Sequence, residues 1–236
     1  MRRSTPEPGT CDPPRNIRQE ISRTRKTIAA VALGATVLAP TLGSAQEVEI
    51  TAEIGWVSEY YYRGIPQATS SASAGIELET AGFYLGTWAA DVGEGAEVDL
   101  YGGYLLEIED FWVGVGGTGY FYTGSFDDTY LEGNLFAGYG PIEAELSIGQ
   151  REAFDAPSEN YTFVRVTAEH EGFYVSGGVF GRDFSGNYSE AGYGFSVADV
   201  DVTFSWIWSN ADLSGRGADD HTLVLGASKS FTLFGG

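Results

Sequence analysis

The chain has 236 residues, with 13 basic and 33 acidic side chains and a formal net charge of −20. Residues 1–45 hold seven basic and three acidic residues, so the remaining residues 46–236 carry a net charge of −24. That charge repels phosphate and excludes a nucleic-acid partner. The single cysteine, Cys11, excludes a disulfide framework, and the many aromatic residues argue against disorder.

The first 45 residues have the pattern of an export signal. A basic stretch ends at Lys26, an apolar run covers residues 28–39, and the small residues Gly43-Ser44-Ala45 follow. A run of about a dozen apolar residues is too short for a spanning helix, which needs about 20. The pattern predicts a cleaved signal peptide over 1–45 and an exported mature domain over 46–236.

The mature domain alternates between apolar and polar residues with a period of two. Apolar residues occupy every second position from Val48 to Trp56, and Glu49, Thr51 and Glu53 stand between them. This alternation is typical of strands with two different faces. We predict twelve strands, at roughly 48–62, 71–79, 83–91, 97–108, 111–122, 129–139, 142–150, 160–170, 173–182, 189–198, 200–209 and 221–231.

The connections between these strands alternate between two kinds. The tight ones are Thr80-Ala81-Gly82, Glu109-Asp110, Gly140-Pro141, Glu171-Gly172 and Asp199. The longer, polar ones cover 63–70, 92–96, 123–128, 151–159, 183–188 and 210–220. Strict alternation places all tight turns at one end of the sheet. Short periplasmic turns and longer outside loops indicate an all-β fold, a transmembrane antiparallel up-and-down β-barrel of about twelve strands.

A soluble β-sandwich or lipocalin-like fold is the alternative, in which the apolar face turns inward. The predicted strands are about ten residues long, which is enough to cross hydrocarbon when tilted. Aromatic residues such as Trp56, Trp112, Trp206 and Trp208 also lie near strand ends, where membrane barrels carry aromatic girdles. These features favour the membrane barrel.

Three segments resemble a known family. Residues 58–67 read Ser-Glu-Tyr-Tyr-Tyr-Arg-Gly-Ile-Pro-Gln, residues 82–90 read Gly-Phe-Tyr-Leu-Gly-Thr-Trp-Ala-Ala, and residues 98–104 read Val-Asp-Leu-Tyr-Gly-Gly-Tyr. They are similar to the TorF family of proteobacterial porins, although Glu59 and Pro66 depart from its usual residue types. The resemblance implies an outer-membrane β-barrel with a pore, and it implies no particular solute.

If the apolar face meets lipid, the other face lines an acidic lumen. Two basic residues share that lining, because Arg165 alternates with Val164 and Val166 and Arg63 has the acidic parity of the first strand. The predicted pore-lining residues are Arg63, Arg165, Glu53, Glu77, Glu97, Asp99, Glu107, Glu132, Glu143, Glu145 and Asp201. Inward Tyr101, Tyr120 and Phe136 narrow the bore further.

This lining admits two interpretations. Rings of Asp and Glu favour cations and repel anions, so the lumen would prefer cations and an Arg–carboxylate cluster would constrict it. Alternatively, buried guanidinium groups need carboxylate partners, and interior salt bridges would plug a rigid barrel. The sequence leaves both open.

Other kinds of site have weaker support. Asp127-Asp128 and Asp219-Asp220 are acidic pairs in loops, but no calcium-loop pattern surrounds them, and we predict no metal and no cofactor. His221 lies near Ser209 and Ser214, but no Gly-x-Ser-x-Gly motif is present, so we predict no catalytic residues and no enzyme.

The combined prediction is a porin-like channel of the cell outer membrane for passive diffusion of small polar or cationic solutes. Its expected partners are outer-membrane lipid, the outer-membrane assembly machinery and the solutes. A closed structural or adhesive barrel that acts through its outer loops is the first alternative, and a lipid-modifying enzyme that uses His221 is the second.

Overall fold

The structure is a computed structural model that describes residues 48–152 and 157–235. They form one closed antiparallel barrel in which each strand pairs with its sequence neighbours and the last strand pairs with the first. The strands are β1 Val48–Tyr62, β2 Ile65–Thr80, β3 Phe83–Asp91, β4 Ala96–Ile108, β5 Phe111–Tyr122, β6 Thr129–Tyr139, β7 Ile142–Glu152, β8 Glu159–His170, β9 Phe173–Arg182, β10 Asn187–Val197, β11 Val200–Ser209 and β12 Asp220–Phe234. The predicted all-β barrel of twelve strands is confirmed.

The period-two pattern sorts side chains between the two faces of the wall. Outward apolar side chains such as Leu85, Leu135 and Val175 are exposed on the outer surface. Inward polar side chains such as Glu97 and Glu132 are buried. The barrel is therefore inverted relative to a soluble β fold, because its outer surface is apolar and its interior is polar.

The tight turns lie at one end of the barrel, here named the turn end, and the other connections lie at the loop end. Ala81-Gly82, Glu171-Gly172 and Ala198-Asp199 have positive φ at both turn residues, as type I′ hairpins require. One predicted connection is wrong. The first loop is not 63–70 but the two residues Arg63-Gly64, because β2 begins at Ile65.

The end of the β1–β2 hairpin leaves the barrel wall. β1 pairs with β12 only as far as Val57, opposite Gly226. β2 pairs with β3 only from Ser73 toward the turn end. The two strands remain paired with each other up to Tyr62 and Ile65. Residues 58–72 therefore form a hairpin that has no backbone pairing with β12 or β3, and we name this segment the inner hairpin.

Aromatic side chains fill the loop half of the interior around the inner hairpin. Tyr62 packs against Tyr120 with ring centroids 6.4 Å apart, and Tyr161 stacks on Phe184 at 5.0 Å. Neighbouring glycines make room for such rings: a Cβ atom at Gly149 would fall within 3.0 Å of the Tyr161 ring. The interior at this end is a packed core rather than an open bore.

Within the described ranges, no helix is long and apolar enough to cross a membrane. The predicted signal peptide and its cleavage site lie outside the described residues.

Candidate functional site in the lumen

The turn of the inner hairpin has an unusual residue at its first position. Arg63 has φ of 45° and Gly64 has φ of 83°, which makes a type I′ turn. Asparagine and glycine are favoured at the first position of such turns, and other residues are strained in the left-handed region. Ala81 and Glu171 have the same conformation in turns at the other end of the barrel, so what distinguishes Arg63 is the place that its side chain reaches.

The Arg63 side chain crosses the lumen to the opposite wall. Its guanidinium holds Glu132 of β6 by two hydrogen bonds, with Nη1 2.8 Å from Oε2 and Nη2 3.0 Å from Oε1. Nη2 also lies 2.7 Å from Oε1 of Glu145 on β7. The Arg63 and Glu132 side chains are 0% exposed. One arginine from the β1–β2 turn is thus tied to carboxylates of two strands in the barrel interior.

Aromatic rings flank the same guanidinium. Its Cζ atom lies 4.0 Å from the ring centroid of Phe163 and 4.7 Å from that of Tyr62. Contacts of this kind attract a cation to the ring face, and the attraction is larger where water is excluded. The cluster therefore fixes Arg63 by both charge and ring contacts.

Further side chains donate hydrogen bonds to the two carboxylates that Arg63 contacts. Tyr161 and Tyr120 donate to Glu132 at 2.8 and 3.2 Å. Ser147 donates to Glu145 at 2.7 Å and accepts from Asn134 at 3.0 Å. Arg165 adds a second cation, with Nη2 2.7 Å from Oε2 of Glu145. We name this side of the lumen, formed by inward residues of β4 to β8, the packed half.

The inner hairpin also touches the other side of the lumen. The Ser209 hydroxyl of β11 donates to the carbonyl oxygen of Gly64. A Cβ atom at Gly64 would fall within 3.0 Å of the Tyr188 side chain on β10. The hairpin tip therefore spans the lumen, with Arg63 against β6 and β7 and Gly64 against β10 and β11.

A cavity of about 250 Å³ remains on the side away from the packed half. It runs between the inner hairpin and the inward faces of β10, β11 and β12, and we name it the side cavity. Small residues form much of its wall, including Gly55, Ser73, Thr203, Ser205, Gly226 and Ser228. Its ionisable lining residues are Glu59, Arg63, Glu190 and Asp201. Space exists here because the inward residues of these strands are mostly small, namely glycine, serine and threonine, whereas the packed half has aromatic rings.

The predicted lining residues fall into separate groups. Glu132 and Glu145 join Arg63 and Arg165 in the packed half, with Glu143 4.0 Å from Arg165. The residues Glu77, Glu97 and Asp99 are buried, Glu53 is half-buried and accepts from Ser230 at 3.4 Å, Glu107 is exposed near the turn end, and Asp201 lines the side cavity. Their role in solute passage stays a prediction.

Sequence reasoning missed several members of this site. Ser147, Asn134, Phe163 and Tyr161 hold the Arg63 network, and each has inward parity on its strand. Parity alone would have placed them in the lumen. Parity would not have shown that they meet Arg63. Residues 65–70 lack the apolar alternation of a wall strand, so the sequence did not reveal the hairpin that carries Arg63 into the lumen. Those residues have no place on the apolar outer surface, which explains the missing signal.

The loop clusters make structural contacts. Arg151 lies 3.1 Å from Asp127, 3.2 Å from Asp128 and 3.1 Å from Glu159. Burial raises the pKa of Asp127, although hydrogen bonds from the Asp128 amide and Tyr130 and the charge of Arg151 act in the opposite direction. In the described part of the chain, no three acidic, histidine or cysteine side chains are placed to hold a metal ion.

The residues considered for catalysis do not form a constellation around His221. His221 is exposed and pairs in register with Trp208. Ser209 donates instead to Gly64, and Ser214 donates to the carbonyl of Ala218 at 2.7 Å. These hydroxyls hold backbone in place at the loop end.

A family of bacterial proteins of unknown function, Gcw_chp, matches residues 41–212, which is most of the chain, and the chain belongs to this family. No curated protein matches it. The match does not test the TorF resemblance, which stays a prediction. Residues 58–67, which carry part of that resemblance, all lie on the inner hairpin.

Several solved structures resemble the barrel. A chain from a study of the in-meso crystallization of membrane proteins has a TM-score of 0.56 and 11% identity, over 78% of this chain and 84% of that chain. A BenF-like porin from Pseudomonas fluorescens Pf-5 has a TM-score of 0.40 and 13% identity, over 75% of this chain and 58% of its own. OccK2 (OpdF) from Pseudomonas aeruginosa has a TM-score of 0.40 and 16% identity, over 85% of this chain and 69% of its own. At these identities the likeness concerns the fold alone.

Proposed function

We propose that the protein is an outer-membrane channel of small bore, which passes small polar or cationic solutes by diffusion through the side cavity. The membrane assignment rests on the outer surface, where large apolar side chains such as Leu85, Val115 and Phe204 are more than half exposed. Contiguous apolar surface of this kind is rare on a soluble monomer. A closed barrel satisfies the backbone hydrogen bonds that hydrocarbon leaves without water.

The side cavity is the observation that carries the channel proposal. The packed half and the aromatic core occupy the opposite side of the loop-end interior, so solutes would pass along β11 and β12. The cavity lining reaches from Tyr188 beside the hairpin tip to Asp201 and Ser228 toward the turn end. A cavity of about 250 Å³ has room for small solutes and excludes bulky ones.

The sign of the charge favours cations. Glu59, Glu190 and Asp201 line the cavity, whereas the guanidinium of Arg63 is engaged by Glu132 and Glu145 on the opposite side. Carboxylates along a narrow path attract cations and repel anions. The lumen would therefore act as an electrostatic filter in the side cavity and as a rigid support in the packed half.

A closed structural barrel is the second candidate. The inner hairpin and the buried rings of Tyr62, Tyr120 and Phe163 support it, because they obstruct the lumen at the loop end. Such a barrel would act through its loops and would give no channel events in a bilayer.

Conductance with site-directed modification tests the channel. The full chain is expressed on a Cys11→Ser background, purified from membranes and placed in planar bilayers with a salt gradient. Ser228→Cys lies in the cavity lining, and Ser189→Cys, in register with the outward Trp208, is the matched control. A cationic thiol reagent should reduce the current of Ser228→Cys and leave Ser189→Cys unchanged.

The outcomes separate the candidates. Channel events with cation preference and block only at Ser228→Cys support the proposal. An absence of channel events from folded protein supports the closed barrel. Anion preference, or equal block of the two variants, contradicts a route through the side cavity.

A further inference from the structure

We propose that the side cavity is a binding site for a small organic cation that carries an apolar group on or beside its ammonium. This inference deepens the proposed function, because it names the solute class that the same cavity would retain. It adds an affinity that simple diffusion through an acidic bore does not require.

The cavity exists because the inner hairpin separates from β12. From Leu225 toward the loop end, β12 has no backbone pairs with β1. Side chains bridge the two instead: Ser58 Oγ accepts from the Leu225 amide at 2.9 Å, and the Tyr61 hydroxyl lies 3.0 Å from Thr222 Oγ1. The space behind the hairpin is thus held open at a defined width by polar side-chain contacts.

The charge of this space is negative on three sides. Glu59 comes from the hairpin, Glu190 from β10 and Asp201 from β11. Glu190 accepts from Tyr174, Asp201 accepts from Ser196, and Glu59 accepts from Thr69 at 3.3 Å. The guanidinium of Arg63 is held on the far side, so an entering cation meets net negative charge.

Aromatic rings line the same space. Trp88 and Tyr60 are tilted against each other with centroids 5.9 Å apart, and both line the cavity together with Tyr188. Ring faces bind alkylammonium groups, and carboxylates nearby add to the attraction. Apolar Val57, Ile207 and Val224 complete the lining, and they suit the carbon substituents of an organic cation better than the water shell of an inorganic ion.

The ligand set argues against a metal ion as the occupant. Among the described residues, no group of three acidic, histidine or cysteine side chains is placed to hold a metal. Divalent cations require several oxygen ligands at short distance. Dispersed carboxylates and aromatic rings in one lining fit a larger cation with its charge spread over alkyl groups.

Calorimetry with a charged and neutral ligand pair tests this site. The full chain, purified in detergent, is titrated with choline and with 3,3-dimethylbutan-1-ol, which has nearly the same shape and no charge. Choline should bind and quench the fluorescence of Trp88, and the alcohol should bind at least about fivefold more weakly. Trp88→Phe should remove most of the fluorescence response while binding persists in the calorimeter.

Variants locate the site. Glu190→Gln should weaken choline binding about fivefold or more, and so should Asp201→Asn. Glu143→Gln, an inward carboxylate of the packed half, should leave it unchanged. Equal loss in Glu143→Gln and Glu190→Gln, equal binding of the alcohol, or no binding to the unmodified protein would overturn the proposal.

Because binding is measured in detergent, it is independent of conductance. Choline binding without channel events would support the site and contradict the channel. Channel events without choline binding would support the channel and overturn the site.

Discussion

The two sides of the lumen differ in how they treat buried charge. In the packed half, Arg63 and Arg165 meet Glu132 and Glu145 at 2.7 to 2.8 Å, and tyrosine, serine and asparagine side chains satisfy the remaining carboxylate oxygens. In the side cavity, acidic side chains stand beside glycine, serine and threonine, and space remains. The same acidic composition therefore forms a closed network on one side and an accessible lining on the other.

The inner hairpin explains the asymmetry. Its turn presents a long cation toward β6 and β7 and only a glycine backbone toward β10 and β11. Removing charges from water opposes the gain from their attraction, so the network is better understood as a device that fixes where the hairpin lies. The hairpin tip contacts β10 and β11 through Gly64, and room remains between the rest of the hairpin and the inward faces of β11 and β12.

Breaking the Arg63 network should have the largest effect. Arg63→Met leaves Glu132 and Glu145 buried without their guanidinium partner, and the expected loss is about 3 to 5 kcal/mol in the free energy of unfolding. Arg182→Met, at an exposed position of β9, is the matched control and should change it by less than about 0.5 kcal/mol. Urea unfolding in detergent measures both, and equal values would show that the network does not hold the hairpin.

Changing the other side of the turn should have a smaller effect. Gly64→Ala introduces a methyl group at φ of 83° and within 3.0 Å of Tyr188, which should reduce the free energy of unfolding by about 1 to 3 kcal/mol. The control is Gly133→Ala in β6, where the nearest atom to a Cβ lies 4.0 Å away. If the control is as destabilised as Gly64→Ala, the hairpin tip does not pack as described.

Charge reversal tests whether the side cavity or the packed half determines ion selectivity. Asp201→Lys places a cation in the side cavity, and the reversal potential in a salt gradient should shift toward anions. Glu143→Gln in the packed half should leave the reversal potential unchanged. A shift of the same size in both variants would show that solutes sense the whole lumen and not one side of it.

The smallest expected effect is a pH dependence in the loop cluster. Burial raises the pKa of Asp127 above its ordinary value of 3.8. The folded state therefore binds the proton more tightly than the unfolded chain, and this contribution to stability is lost as the pH rises through the raised pKa. In Asp127→Asn, the urea concentration at the unfolding midpoint should therefore change less with pH, between pH 4 and neutrality, than in the unmodified protein. An unchanged slope would contradict the burial of Asp127.

The sequence predicted the wall of this barrel better than its interior. Alternation from Val48 to Trp56 and the tight turns at Gly140-Pro141 and Glu171-Gly172 located the strands, because each wall residue faces either the outer surface or the lumen. The side chains of the inner hairpin do not alternate between an outer surface and the lumen, because the hairpin lies inside the barrel. Its Ser, Thr and Gln residues therefore resembled a loop, although they are paired as strands.

The inward position of Arg165 followed from parity, whereas Arg63 reaches the interior because the inner hairpin leaves the wall. The partners of both residues did not follow from parity. Glu132 is 69 residues from Arg63 in sequence, and only closure of the barrel together with the inward bend of the hairpin brings them into contact. Parity describes one strand at a time. Contacts across a lumen depend on the angle at which a hairpin leaves the wall, and no local pattern encodes that angle.

Single-channel conductance of a hairpin-shortened protein tests the central claim most directly. Replacing residues 58–70 with Asn-Gly joins Val57 to Ser71, which are already paired, by a favoured two-residue turn. If the inner hairpin sets the bore, this variant should conduct severalfold more than the unmodified protein and keep its cation preference. Equal conductance of the two folded proteins would contradict the claim.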